Sequence, residues 1–268
     1  MSNRFSLDHL SALEIQGPDA HAYANAQFTV SVETLSEISW APLAWCDPKG
    51  RVLTIMMARA SENSVELVLP AVQAGEIGER LGRFTIGRRA SVSPPVDVAG
   101  SFAPDPDMPT LSFDGSRGMR PGLAVNTDSD ARERWRRLDL CRGLPWLEPA
   151  SSGKHLPQWL GLDALGALAF DKGCYPGQEV IARLHYRGSV KYRLWGLRID
   201  APIEWRAHAP LGDAAGHTVG HCLGGTRDGE RSIGLAVLGT GVSEGDELRL
   251  DADPGSPGAH VTVPKALC

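Results

Sequence analysis

The stretch FDKGCYPGQEVIARLHYRG, residues 170–188, gathers most of the groups in this chain that can do chemistry. A thiol acts as nucleophile or metal ligand only as thiolate. Three features favour that form at Cys174: the neighbouring Lys172 ammonium, a run of free backbone N–H groups, and the positive end of the helix expected to follow. Gly173 and Gly177 permit close backbone approach or positive φ, which serves a ligand or a plain turn. Gln178 and Glu179 fall in the first helical turn, where Glu179 either complements the dipole or accepts hydrogen bonds from a ring donor of a bound heterocycle. Arg183, His185, Arg187 and Lys191 make a basic ladder suited to a carboxylate-bearing tail or to Glu179 and Asp171, with Arg183 read as an ion-pair partner and Arg187 as ligand-facing. Against all this stands a simpler reading, that Cys174 is a small residue packed under a loop. The residues by themselves leave both open.

The elements that must position this loop follow from periodicity. Residues 165–170 predict a short buried strand, and Gly173 with Pro176-Gly177 breaks the pattern. Residues 178–186 then predict a helix with Val180, Ile181 and Leu184 inward. Upstream, residues 7–15 suit a strand, Pro18 and Asp19 the first turn of a helix to about residue 28, and residues 38–46 and 51–58 a hairpin around Asp47-Pro48-Lys49-Gly50. Strands over 65–69 and 85–92 flank a helix over 71–81 with Val72, Ile77 and Leu81 on its apolar face, which is an α+β pattern. Prolines 94, 95, 104, 106 and 109 mark a surface loop. A strand over 122–125 leads to a helix over 128–142, capped by Asp128, Ser129 or Asp130, ended by Gly143, with Ala131, Trp135 and Leu138 inward. Its arginines read mainly as a solvated face. Residues 144–162 should wrap irregularly, and the short runs from 192 onward suggest a small β-barrel.

Composition narrows the classes. A chain of 268 residues with 42% hydrophobic content is long enough to split into two or three subdomains. No apolar run reaches the roughly 20 residues of a membrane helix, and MSNRFSLDHL lacks a basic region followed by an apolar one, so the expectation is a soluble cytoplasmic protein with no membrane partner. The net charge of −5 speaks against direct nucleic-acid binding. Five scattered cysteines without a CxxC pair predict reduced thiols and no zinc site. His221-Cys222, adjacent on a strand, should point to opposite faces and make a poor metal pair. There is no GxSxG, HExxH, Walker loop or G-x-G-x-x-G, which removes the main hydrolase and dinucleotide readings.

Residues 172–179, KGCYPGQE, resemble the KGCYxGQE signature of the YgfZ-type folate-binding proteins, relatives of the glycine-cleavage T-protein (aminomethyltransferase). LEIQGPDAHAYANAQFTVSVETL, DPKGRVL, CRGLPWL, LPQWLGLDALGALAFDKGCY and ARLHYRG extend the resemblance along the chain. It implies an α+β, three-lobed aminomethyltransferase-like fold around a central folate channel. The lobes would be a discontinuous folate-binding lobe over 1–40 and 120–190, a ferredoxin-like lobe over 41–119, and a C-terminal β-barrel over 191–268. It also implies Cys174 as the functional cysteine with Lys172 beside it, and Tyr175, Gly177, Gln178, Glu179 and Arg187 around a reduced folate. Pro176 stands where threonine is commoner in the family.

Two departures bear on activity. The T-protein hairpin is followed by a catalytic aspartate, whereas this chain continues Val52-Leu53-Thr54-Ile55. T-proteins also place a glutamate before the glycine resembling Gly143, and this chain has Cys141-Arg142 there. The resemblance therefore implies a tetrahydrofolate-binding protein supporting iron–sulfur cluster assembly or repair, with effects on tRNA modification through iron–sulfur enzymes. Cys174 would serve as a transient cluster ligand or a nucleophile, and client or assembly proteins as partners. The alternatives are a folate-dependent aminomethyl or one-carbon transferase, and a non-enzymatic folate-responsive interaction module docking through the arginines of 132–142.

Overall fold

A computed structural model describes residues 4–102, 105–253 and 255–268; Pro104 of the expected surface loop lies outside the described residues. The first eight strands are β1 (Arg4–Gln16), β2 (Ser39–Cys46), β3 (Val52–Ser61), β4 (Ser64–Pro70), β5 (Ser91–Val92), β6 (Val96–Ser101), β7 (Thr110–Leu111) and β8 (Gly118–Pro121). They form one sheet in the order β4-β3-β2-β7-β8-β6-β1-β5, and a further pairing of β1 with β4 turns the sheet back on itself. Strand β1 does this because it pairs on both edges: Arg4 to Ser6 and Ser11 and Ala12 with β6, and Leu10 to Gln16 with β4. An irregularity between Ser6 and Ser11 shifts the register. A one-residue slip exchanges the faces of a strand. Accordingly Phe5, Leu7, Leu10 and Ala12 all join one core with Trp40 and Trp135, and Leu13 and Ile15 turn to a second core with Tyr23, Phe28 and Leu81.

Four α-helices accompany the sheet among the described residues: α1 (Ala20–Asn25), α2 (Ala71–Arg83), α3 (Ser129–Cys141) and α4 (Gln178–Arg187). Asp128 caps α3, accepting from Ala131 N at 2.9 Å. The C-terminal strands β9 (Tyr192–Ile199), β10 (Pro210–Gly212), β11 (Thr218–Asp228), β12 (Arg231–Gly239), β13 (Glu247–Leu250) and β14 (Gly258–Thr262) close a barrel in the order β10-β11-β12-β9-β14-β13. Its interior holds Leu197, Ile199, Leu211, Leu238 and Val261. The mixed sheet-and-helix part and the closed barrel agree with the expected α+β architecture.

Several local expectations are corrected. The strand over 85–92 shrinks to Ser91–Val92, because a turn closed by Arg88 N and Thr85 O, with Gly87 at φ 82°, occupies its start. The strand over 122–125 sits upstream as β8, which ends at Pro121 before Gly122 turns the chain at φ 70°. Residues 165–170 form no strand: Gly166 turns the chain at φ 71°, and buried Thr29 takes the ladder's place, its hydroxyl donating to Ala167 O at 2.7 Å and its carbonyl accepting from Ala169 N at 2.8 Å. Val72 and Val180 are exposed, and Ile77, Leu81 and Ile181 carry the burial of their helices. The arginines of α3 stay partly solvent-accessible, as a solvated face requires, and three also take partners: Arg132 with Asp8, Arg137 with Asp228, and Arg134 over the Phe102 ring. The expectation of reduced thiols fails at Cys141 and Cys268, which form a disulfide across a sequence separation of 127 residues. The C-terminal turn packs on α3 and β9 and brings the last residue to the last residue of that helix. Spacing along the chain carries no trace of that docking.

Candidate functional site

The loop carrying Cys174 is built against the β2–β3 hairpin. In the hairpin turn, Asp47 Oδ1 accepts from Lys49 N and Arg51 N, both at 2.8 Å, and Gly50 takes φ 74°. Gly177, at φ 80°, lies directly on that turn. A Cβ at Gly177 would stand 2.6 Å from both Asp47 O and Gly50 N, and one at Gly50 would stand 3.3 Å from Gly177 O and Ile181 Cγ1. The glycine of the signature is therefore required by this backbone contact. Helix α4 starts from it, with Ile181 N donating to Gly177 O at 3.2 Å and Gln158 Nε2 donating to Ile181 O at 2.8 Å.

Lys172 anchors the other end of the loop. Its Nζ donates to Phe28 O at 2.8 Å and Val30 O at 2.7 Å, and burial lowers its pKa to about 8. The ammonium lies 5.4 Å from the centre of the Tyr175 ring. Tyr175 is buried, its phenol is pushed up by burial with the Cys46 thiol adding to it, and its hydroxyl has no hydrogen-bond partner among the described residues. Gln178 Nε2 donates to Lys172 O at 3.3 Å, closing the loop on itself.

The outcome is an exposed Cys174 on a held frame. It lies at a shallow, open depression lined also by Pro48, Gln178, Glu179 and Ala182. Glu179, Arg183 and Arg187 are exposed, and among the described residues the structure gives their side chains no ion pair, so the pairing of Arg183 with Glu179 or Asp171 does not form. Beyond them Phe170 stacks on His185 with centroids 4.0 Å apart, and Tyr186 meets both edge-on.

A second place has the shape of a binding site. A cavity of about 380 Å³ opens between β1, the start of α2, the end of α3, residues 144–148, and the barrel strands β11 and β12. Its walls are largely apolar, with Leu144, Leu147, Leu223 and Leu235, and its polar groups are Asp8, His9, Arg136, Asp139 and Glu148. Trp146 lines it, donating from Nε1 to Asp139 Oδ2 at 2.8 Å. The other Asp139 oxygen accepts from Arg117 at 2.8 Å, and Arg117 also pairs with Asp114 at 2.7 Å and lies 4.5 Å over the Trp135 ring. Burial raises the Asp139 pKa, with Arg117 and the Trp146 N–H acting the other way. Both ring nitrogens of His9 are shut off from solvent and have no hydrogen-bond partner among the described residues, Asp8 Oδ1 lying 4.0 Å from Nδ1, and burial, aided by Arg136, lowers its pKa to about 4. His9 is thus neutral at pH 7.

None of Cys174, Lys172, Tyr175, Gly177, Gln178, Glu179 and Arg187 lines this cavity. The loop and the cavity are separate places on the molecule. Sequence reading passed over His9, Asp139 and Trp146. One signal was available: Asp139 follows Trp135 by four residues, which puts a carboxylate on the inward face of a helix.

Comparison with known proteins accords with this architecture. No family model matches the chain. The tRNA-modifying protein YgfZ of Klebsiella pneumoniae (strain 342) is 28% identical, covering 72% of this chain and 70% of its own. That of Cronobacter sakazakii is 25% identical over 96% of this chain and 90% of its own. The chain is a sequence relative of the YgfZ proteins. An uncharacterized protein of Haemophilus influenzae, 29% identical over 76% of each chain, joins this group of relatives. The glycine cleavage system aminomethyltransferase T of Bartonella henselae superposes with a TM-score of 0.74 over 99% of this chain and 86% of its own, at 16% identity. At that identity the likeness establishes the fold, so YgfZ kinship comes from the sequence and the T-protein architecture from the structure.

Proposed function

We propose that this chain is a cytoplasmic YgfZ-type factor that holds tetrahydrofolate or another reduced folate and offers Cys174 to iron–sulfur client or assembly proteins, keeping iron–sulfur enzymes of tRNA modification active. The observation that carries the reading is the exposed Cys174 on a loop fixed at both ends, by Lys172 on the carbonyls of Phe28 and Val30 and by Gly177 on the hairpin. The names of the relatives, tRNA-modifying protein YgfZ, support the biological setting.

The folate would occupy the cavity beside Trp146. The cavity's volume and apolar lining with a few polar groups suit a small molecule. His9, with two orphaned ring nitrogens, and Asp139, with a shifted pKa, are polar groups of the kind such sites contain. Bound there, a reduced folate supplies a carrier for one-carbon units. The leucines exclude water from the ring, and Arg136 supplies a cation for a glutamyl carboxylate.

An iron–sulfur cluster would be cargo. Among the described residues no group of three or more His, Cys, Asp and Glu side chains can hold a metal ion, so Cys174 would contribute one thiolate and the client the remaining ligands. Transferase chemistry has less support, because Thr54 and Ile55, where T-proteins carry an aspartate, are fully buried in β3. The test is replacement of the chromosomal gene by Cys174→Ala and by Cys174→Ser, with iron–sulfur enzyme activities and tRNA modification measured under oxidative growth. Both variants should lose function while retaining (6S)-5-formyltetrahydrofolate binding. Unchanged activities in both would refute the role of the thiol.

A further inference from the structure

We propose that Trp146 is the surface on which the ring of the cavity's ligand stacks, and that Asp139, fixed by Arg117, is the positioning residue that sets the plane of its indole. The inference rests on the folate reading only for the identity of that ligand. Trp146 differs from Trp40, Trp45 and Trp135, which are wholly buried in the cores: it is part-exposed and borders the cavity. Its one polar atom is engaged at the edge, donating to Asp139 Oδ2 at 2.8 Å, so the indole, partly packed on the core, meets the cavity with apolar ring surface. Indole faces bind flat heterocycles by stacking.

Asp139 cannot rotate away without cost, because both of its oxygens are committed. Oδ1 accepts from Arg117 Nη1 at 2.8 Å, and the same nitrogen also donates to Trp135 O at 3.2 Å. Arg117 Nε donates to Asp114 Oδ2 at 2.7 Å, and its guanidinium lies over the Trp135 ring. Asp139, Arg117 and Asp114 are nearly inaccessible to solvent. A buried ion-pair network of this kind gains little over well-packed apolar residues and is better understood as fixing geometry. The group it fixes at the cavity is Trp146. Leu223 and Leu235, from the barrel, border the same space and complete an apolar slot.

The experiment titrates the purified full chain with (6S)-5-formyltetrahydrofolate and with pterin-6-carboxylate, by calorimetry and by intrinsic fluorescence. The proteins are the wild type, Trp146→Phe, Trp146→Ala, Asp139→Asn and the double variant Trp146→Ala/Asp139→Asn, each checked for folding by circular dichroism. Stacking predicts that Trp146→Ala weakens binding about tenfold or more, that Trp146→Phe, which keeps an aromatic face but loses the N–H to Asp139, falls between it and the wild type, and that the ligand-induced fluorescence quench of the wild type is lost in both. If Asp139 acts through Trp146, Asp139→Asn weakens binding in the wild-type background and not in the Trp146→Ala background. A purely structural Asp139 would weaken both alike. Should Asp139→Asn fail to fold, the Phe and Ala variants at 146 still decide the stacking role. Wild-type binding with an unchanged Trp146→Ala overturns the inference and leaves the folate reading standing, whereas a wild type that binds neither compound overturns both.

Discussion

Gly177 and Gly50 lie in backbone contact, each in the left-handed region, so that the loop bearing Cys174 and the turn of the β2–β3 hairpin share one surface with no room for a Cβ on the Gly177 side. This relationship explains why two distant glycine-containing turns, DPKG and YPGQ, occur in one chain. Each glycine answers the other's position, and the hairpin turn becomes a template for the start of α4. Ligand contact is not needed to account for Gly177. Cys174, three residues earlier, inherits its placement.

The contact predicts an asymmetry between the two glycines of the signature. Gly177→Ala must relieve a clash with backbone atoms and adopt positive φ, and should cost about 2–4 kcal/mol. Gly173 has nothing within 4 Å of its notional Cβ, so Gly173→Ala should change stability by less than about 0.5 kcal/mol. Urea unfolding of the two variants beside the wild type measures the difference. Equal effects would mean that the hairpin does not hold the loop.

Lys172 gives the second handle on the same frame. Its ammonium satisfies two buried carbonyls, Phe28 O and Val30 O, and hydrogen bonds from a charged donor contribute about 1.5–3 kcal/mol each. Lys172→Met keeps the stem and removes both. We expect a loss of about 3 kcal/mol, the low end for two such bonds at a part-buried group, together with faster alkylation of Cys174 as the loop loosens. A stable variant with an unchanged alkylation rate would show that the ammonium is not the anchor.

How far the sequence revealed this arrangement depends on the range of the interaction. The hairpin at Asp47-Gly50 was legible because Asp47 caps its own turn, four residues at most from its donors. The N-cap at Asp128 and the barrel cadence were legible for the same local reason. Cys174 stood out by its neighbours in the chain. The cavity did not, because Trp146 and Asp139, held by Arg117, come to line one space with His9 and the barrel only in three dimensions, and inward polar residues break the apolar periodicity that sequence reading follows. Residues 165–170 misled for a related reason: Thr29, about 140 residues away, satisfies the backbone groups that a neighbouring strand would have taken.

Acid should destabilise the fold through buried and half-buried imidazoles. His155, His208 and His221 meet where the segment before α4 touches the barrel, with ring centroids 5.9 Å and 4.2 Å apart, and Lys154 and Arg51 are the charges that face them. Burial lowers all three, His155 to about 4, as it does His9. The folded state therefore binds fewer protons than the unfolded chain between the ordinary histidine value of about 6.5 and about 4, and stability is full above that window and falls as pH drops through it. Urea midpoints at pH 7.5, 6.0, 5.0 and 4.5 should decline progressively, and less steeply in His155→Gln. A flat profile over that range would show that these rings are already solvated.

The thiols give a stoichiometric prediction. Cys174 is exposed, and Cys46 and Cys222 are buried with pKa values pushed up by burial, that of Cys222 to about 12. The native oxidised protein should thus titrate one fast thiol with an aromatic disulfide reagent, and Cys174→Ala none. Unfolding without reductant should expose Cys46 and Cys222 as well, leaving Cys141 and Cys268 unreactive until the disulfide is reduced. Because that bond closes a loop of more than 100 residues, its reduction should lower stability by about 4 kcal/mol. Cys268→Ser should show the lower stability with or without reductant. If reductant leaves the wild-type melting temperature unchanged, the docking of the C-terminal turn on α3 is maintained by packing and not by the covalent tie.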